Sequence, residues 1–133
     1  MKNLVTGCIL LSLFALACNQ PLDCKQFRNG TFNIVIKDYV STVVRNGDQQ
    51  IELAKRNINE RDTIERDTFK VKWINDCQYT LTPTQDCIKR NHIPRPDAVT
   101  TVDIVNTSGN RCLINVSYNF SRTVLEGRMI KEK

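Results

Sequence analysis

The chain has 133 residues, of which 41% are hydrophobic and 25% charged, with a formal net charge of +5. That is the size of one domain with a real core, and its cations are spread out rather than gathered into a block of the kind that binds nucleic acid. Five glycines, all single, exclude a Gly-rich phosphate loop, and one histidine excludes a His-based metal centre.

The chain opens MKNLVTGCILLSLFALAC. A single cation, Lys2, precedes an apolar run from Leu4 to Ala17, which falls short of the ~20 residues a spanning helix needs. A charged start, a short apolar stretch and the small-residue exit Ala15-Leu16-Ala17 predict a signal peptide over residues 1–17. Ala17 before Cys18 resembles a bacterial lipobox, with Ala15 standing where leucine is usual. The expectation is lipid attachment at Cys18, with residues 18–30 as attachment site and short tether. Palmitate-like acyl chains would then hold the domain at the bacterial cell envelope. From Cys18 to Cys24 the chain reaches only ~20 Å, so a barrel bridged at Cys24 would sit close to the headgroups. The alternative is a freely secreted protein in which Cys18 stays a thiol. Either way export argues against nucleic acid as a partner.

From Gly30 onward the pattern is extended. Thr31-Phe32-Asn33-Ile34-Val35-Ile36 alternates, with Phe32, Ile34 and Ile36 on one face. Residues 41–45 form a second strand. Asn46-Gly47-Asp48 turns it into 49–54, with Ile51 and Leu53 expected inward. Residues 55–66 are polar and highly charged, and read as a loop or the exposed start of the next strand. Phe69, Val71 and Trp73 share a face, with Lys70 and Lys72 opposite. After the Asn75-Asp76 turn, Cys77, Tyr79 and Leu81 align. Residues 83–97 carry Pro83, Pro94 and Pro96 and read as an irregular loop, the kind of place where function sits. Three more strands are expected at 98–106, 111–120 and 122–130. Cys112, Ile114, Val116, Tyr118 and Phe120 occupy one face of the second of these, and Asn115, Ser117 and Asn119 the other.

The expected fold is therefore all-β: an antiparallel meander of about eight strands over residues 31–133, forming a lipocalin-like barrel or a strongly curved half-barrel. If it closes, Trp73, Tyr79 and Tyr118 are the candidate lining of a site for a small apolar ligand, with plain core packing as the competing role.

Cys8 leaves with the signal. With Cys18 acylated, Cys24, Cys77, Cys87 and Cys112 remain, enough for two disulfides in an oxidising compartment. Four cysteines allow three pairings. Cys24–Cys77 with Cys87–Cys112 is the favoured one. CKQFRNGTF (24–32) and FKVKWINDCQYTL (69–81) also resemble a group of small bacterial lipoproteins with a Cys-x-x-Phe…Gly-x-Phe segment and a later Trp-x-x-Asp-Cys-x-Tyr-x-Leu segment. The shared residues are Cys24, Phe27, Gly30 and Phe32, then Trp73, Asp76, Cys77, Tyr79 and Leu81. The resemblance covers about a quarter of the mature chain. It implies an exported β-rich domain with no established activity, and it supports the Cys24–Cys77 pairing.

Enzymatic chemistry finds little footing. His92 sits in the Pro-rich loop, where exposure is its expected role. Asp103 and Ser117 have no nucleophile-elbow sequence around a triad. Glu60, Asp62, Glu65 and Asp67 fall in a charged segment and read as solvated rather than as paired glycosidase acids. Four N-x-[ST] sequons, at Asn29, Asn106, Asn115 and Asn119, carry meaning only in a eukaryotic secretory pathway. The expected function is a non-enzymatic, membrane-anchored binding or envelope-structural module without cofactor or metal. A small apolar ligand or an envelope protein is its expected partner, and a secreted carrier or inhibitor is the alternative.

Overall fold

The structure, a computed structural model, describes residues 21–58, 61–91 and 95–133. The expected signal peptide, Cys18, Glu60 and His92 lie outside the described residues.

Eight strands follow one another round a closed barrel: β1 (Gly30–Ile36), β2 (Tyr39–Asn46), β3 (Gln49–Ile58), β4 (Arg61–Asn75), β5 (Gln78–Pro83), β6 (Thr100–Ser108), β7 (Arg111–Tyr118) and β8 (Leu125–Lys131). Every neighbour pair is antiparallel, and β8 returns to β1, with Phe32 opposite Lys131 and Ile34 opposite Met129. The barrel is thus full rather than half-open, and no strand edge is left to pair with another chain.

Closure needs one close approach. Gly127 lies where β8 passes β1, and a Cβ there would stand 2.7 Å from Ile36 Cγ1 and 3.0 Å from the Val35 carbonyl oxygen. A side chain at this position would push the two strands apart.

Alternation along the strands sets what fills the interior. Phe32, Ile34, Val43, Val71, Tyr79, Leu81, Val102, Ile104, Ile114, Val116 and Met129 form one buried cluster, as period-two patterning requires. One strand departs from expectation. Gln50 and Ala54 are buried and Leu53 is 36% exposed, so Ile51 and Leu53 face outward. The turn explains this. Its central residues are Gly47, at φ +60°, and Asp48, so Asn46 pairs with Gln49 and Val43 stands opposite Glu52 rather than Ile51. One residue of loop length decides which face of a strand meets the core.

The described residues of the charged segment 55–66 are strand, which agrees with the second of its two sequence readings, the exposed start of the next strand. β3 runs to Ile58 and β4 starts at Arg61, with Lys55 opposite Ile64 and Arg56 opposite Thr63. The strand expected over 111–120 is shorter: β7 ends at Tyr118, so Phe120 does not continue the face of Cys112, Ile114 and Val116. Phe120 is exposed, its ring 5.3 Å from Tyr118 and under the Arg95 guanidinium at 5.0 Å.

The segment after Pro83 also differs from expectation. It holds a short helix, α1 (Gln85–Asn91). Thr84 caps it, its Oγ1 accepting from the Cys87 N–H at 3.2 Å, while Asp86 opens the helix and Lys89 and Arg90 close it. That is a conventional N-cap and dipole-matched pattern. The Thr84 N–H donates to the Thr68 carbonyl at 3.0 Å and docks α1 against β4.

Candidate functional site

The two ends of the barrel are built differently. At one end the chain enters as a 3-10 helix, η1 (Lys25–Phe27), with Cys24 and Phe27 fully buried. The Cys24–Cys77 disulfide ties this turn to the β4–β5 connection. Lys131 Nζ donates to the Gln26 carbonyl at 2.6 Å. Arg28 pairs with Asp76 at 2.8 Å, an exposed contact of small energetic weight. This end is plugged.

Beneath the plug lies Arg45, on β2, 1% exposed. Each of its three nitrogens donates a hydrogen bond. Nη1 donates to the Phe27 carbonyl at 2.6 Å, Nη2 to the Tyr79 hydroxyl at 2.7 Å, and Nε to Gln50 Oε1 at 2.8 Å. The guanidinium also lies 4.3 Å from the Tyr79 ring centre and 5.1 Å from that of Phe32. A buried cation needs this degree of satisfaction.

The network continues upward. An arginine only donates, so the Gln50 amide must turn its oxygen to Arg45 and its NH2 away. Gln50 Nε2 then donates to Glu52 Oε1 at 2.7 Å. Among the described residues this is the one hydrogen bond recorded to the Glu52 side chain. Burial pushes the Glu52 carboxyl above its ordinary value, and the facing Asp67 adds to the rise. The Gln50 hydrogen bond and Arg45 pull the other way.

Above Gln50 the barrel is hollow. A cavity of about 510 Å³ opens toward the end that carries the β1–β2 turn and the β7–β8 loop. Ile34, Val102, Ile114, Val116 and Leu125 give it apolar walls, Phe69, Tyr79 and Tyr118 give it aromatic ones, and Gln50 and Glu52 supply polar groups inside. Lys37 and Asp38 stand at the rim, in the exposed β1–β2 turn. The volume lies in the range of ~300–1,000 Å³ typical of small-molecule sites.

Two of the three aromatic candidates, Tyr79 and Tyr118, line this cavity; Trp73 does not. Trp73 belongs to the plugged end, 4.7 Å from the Tyr79 ring and under the Arg28 guanidinium at 4.9 Å. Sequence reasoning missed Arg45, Gln50 and Glu52. On β3 the alternation pointed to Ile51 and Leu53 as the inward face, and only the hairpin register reveals that Gln50 and Glu52 point inward, with Arg45 across from Gln50.

The favoured cysteine pairing is half realised. Cys24 and Cys77 are joined. Cys87 and Cys112 are buried thiols, not a bridge. Cys87 rides on α1 against β4, with Sγ 3.7 Å from Asp67 Oδ1. Cys112 lies inside β7, opposite Met129 and near Arg45.

Among the described residues no group of three or more His, Cys, Asp or Glu side chains is arranged to hold a metal, and no helix is long and apolar enough to cross a membrane. The fold and the hollow together define a closed up-and-down β-barrel of lipocalin-like form. Comparison with known protein families and with curated proteins returns no match for this sequence.

Proposed function

We propose that the protein is an exported, non-enzymatic binding module that takes a small, largely apolar ligand into its barrel while a lipid on Cys18 holds it at the bacterial envelope. The observation that carries the reading is the cavity of about 510 Å³ beside an otherwise packed core. A purely structural domain of this size would fill that space, since interiors pack to near-crystal density. The covalent frame fits the same picture. Cys24, a short chain length from Cys18, is locked to the plugged end, so a tether there leaves the cavity mouth facing away from the membrane.

Titration with an apolar fluorophore such as phenylnaphthylamine tests the binding. Saturable, one-to-one enhancement is expected, and it should disappear in Val116→Trp, which fills the cavity, while the barrel's circular dichroism is kept. Absence of saturable binding by the folded wild type sinks the reading. The mass of the mature protein decides between the anchored form and the freely secreted alternative: acyl chains on Cys18 support the former, an unmodified N-terminus the latter.

A further inference from the structure

The network inside the barrel restricts what head group a ligand can carry. Arg45 is the cation beneath the cavity floor, yet it does not line the cavity, and each of its three nitrogens already donates, to Phe27, Tyr79 and Gln50. Its guanidinium is not among the groups that the cavity presents to a ligand carboxylate or phosphate. Gln50 is likewise committed, its oxygen to Arg45 and an N–H to Glu52. Besides Ser41, Thr100 and the rim pair Lys37 and Asp38, the cavity presents Glu52, one of whose carboxylate oxygens is bonded to Gln50 while the other has no hydrogen-bond partner among the described residues. A carboxylate has about four acceptor sites, and here the protein uses one. The charged neighbours deepen the bias. Asp67 stands directly opposite Glu52 on β4, whereas Arg45 is linked to Glu52 by hydrogen bonds only by way of the Gln50 amide. Phe69, Tyr79 and Tyr118 line the same space, and aromatic faces attract cations within ~6 Å.

We infer that the ligand is an amphiphile with a protonated amine head, its ammonium donating to Glu52 and its apolar body lying against Ile34, Val102, Ile114 and Val116. This inference rests on the ligand-binding reading above and narrows it. A fatty acid, with an acceptor-only anionic head, is disfavoured by the same geometry.

The test uses three probes with one tail: decylamine, decanol and decanoate, each displacing the bound fluorophore from the folded protein at neutral pH. The amine is expected to bind about tenfold or more tighter than the alcohol, the size of a charge-assisted hydrogen bond, and the carboxylate weakest. In Glu52→Gln the amine's advantage over the alcohol should vanish while the alcohol binds as before, which also shows the variant to be folded. Equal binding of all three probes, or tightest binding of decanoate, overturns the amine inference and leaves the cavity reading standing. Failure of the fluorophore and all three probes to bind overturns both.

Discussion

Arg45 and Tyr79, thirty-four residues apart in the chain, meet inside the barrel where Nη2 donates to the phenolic oxygen at 2.7 Å. The contact joins β2 to β5 across the interior and closes a set of bonds that also holds the plug, through the Phe27 carbonyl. Burial raises the Tyr79 hydroxyl well above its usual value, with Arg45 drawing it partly back. The phenol therefore stays neutral and accepts from Arg45 throughout the physiological range.

Removing the guanidinium would orphan three buried acceptors. Arg45→Ala should destabilise the fold by about 3–5 kcal/mol, the range for stripping one partner from a buried charged network. Arg45→Lys should recover less than half of this, because an ammonium is a point donor and cannot reach Phe27, Gln50 and Tyr79 in the planar arrangement they need. Urea unfolding of the three proteins measures both effects. A loss below about 1 kcal/mol in the alanine variant would mean that the network is not what holds the plug.

The cysteines make a chemical prediction. The Cys24–Cys77 bond spans a sequence separation of 53 residues, and in the chain-entropy account its removal by Cys24→Ser costs about 4 kcal/mol. Alkylation in denaturant without reductant, followed by peptide mapping, should label Cys87 and Cys112 and spare Cys24 and Cys77. In the native protein Cys112 should resist alkylation at neutral pH, since burial pushes its thiol up to about 12 and only the thiolate reacts. Recovery of a Cys87–Cys112 peptide pair would refute this arrangement.

Glu52 predicts a pH dependence with a definite sign. Its folded-state pKa lies above the ordinary 4.5, so the native state holds the proton to higher pH than the unfolded chain does. The groups facing it are Arg45, Asp67, Tyr79 and Tyr118. Its contribution to stability is fully present below the unfolded value and is lost as pH rises through the folded one. The stability of the ligand-free wild type, relative to Glu52→Gln, should therefore fall as pH rises above 4.5. Urea titrations of both proteins across that range check it, and a difference that stays flat or grows contradicts the buried, proton-holding carboxyl.

Gly127 tests the closure of the barrel. An added methyl would stand 2.7 Å from Ile36 Cγ1 and 3.0 Å from the Val35 carbonyl, the latter a backbone atom that yields only if β1 moves. Gly127→Ala should cost about 1–3 kcal/mol, as overpacking does. Serine should cost at least as much. Thermal unfolding compares them with the wild type. A neutral alanine variant would show that β8 and β1 are free to separate.

Much of this was legible from local pattern. Alternation in Phe32-Ile34-Ile36, Phe69-Val71-Trp73 and Cys112-Ile114-Val116-Tyr118 marks strands, because a pleated chain buries every second residue. Short turns between them imply a meander. The helix α1 was missed: Thr84, Asp86 and the Lys89-Arg90 pair form a capping and dipole pattern, but the neighbouring prolines obscured it. The β3 face was not readable. Ile51 and Leu53 look like core residues, and their placement outside depends on a turn whose centre is Gly47-Asp48 rather than one residue longer.

The sequence by itself determined an all-β meander, because side-chain periodicity is a local property written along each strand. It also supplied the cysteines and the aromatic residues, but not their company. Only the tertiary structure decided that the sheet closes, that Cys87 and Cys112 lie on separate elements, and that Arg45, Gln50 and Glu52 share one interior. Those outcomes depend on register and on which strands meet across the barrel. Both are set by the joint packing of residues far apart in the chain, which no single stretch of it contains.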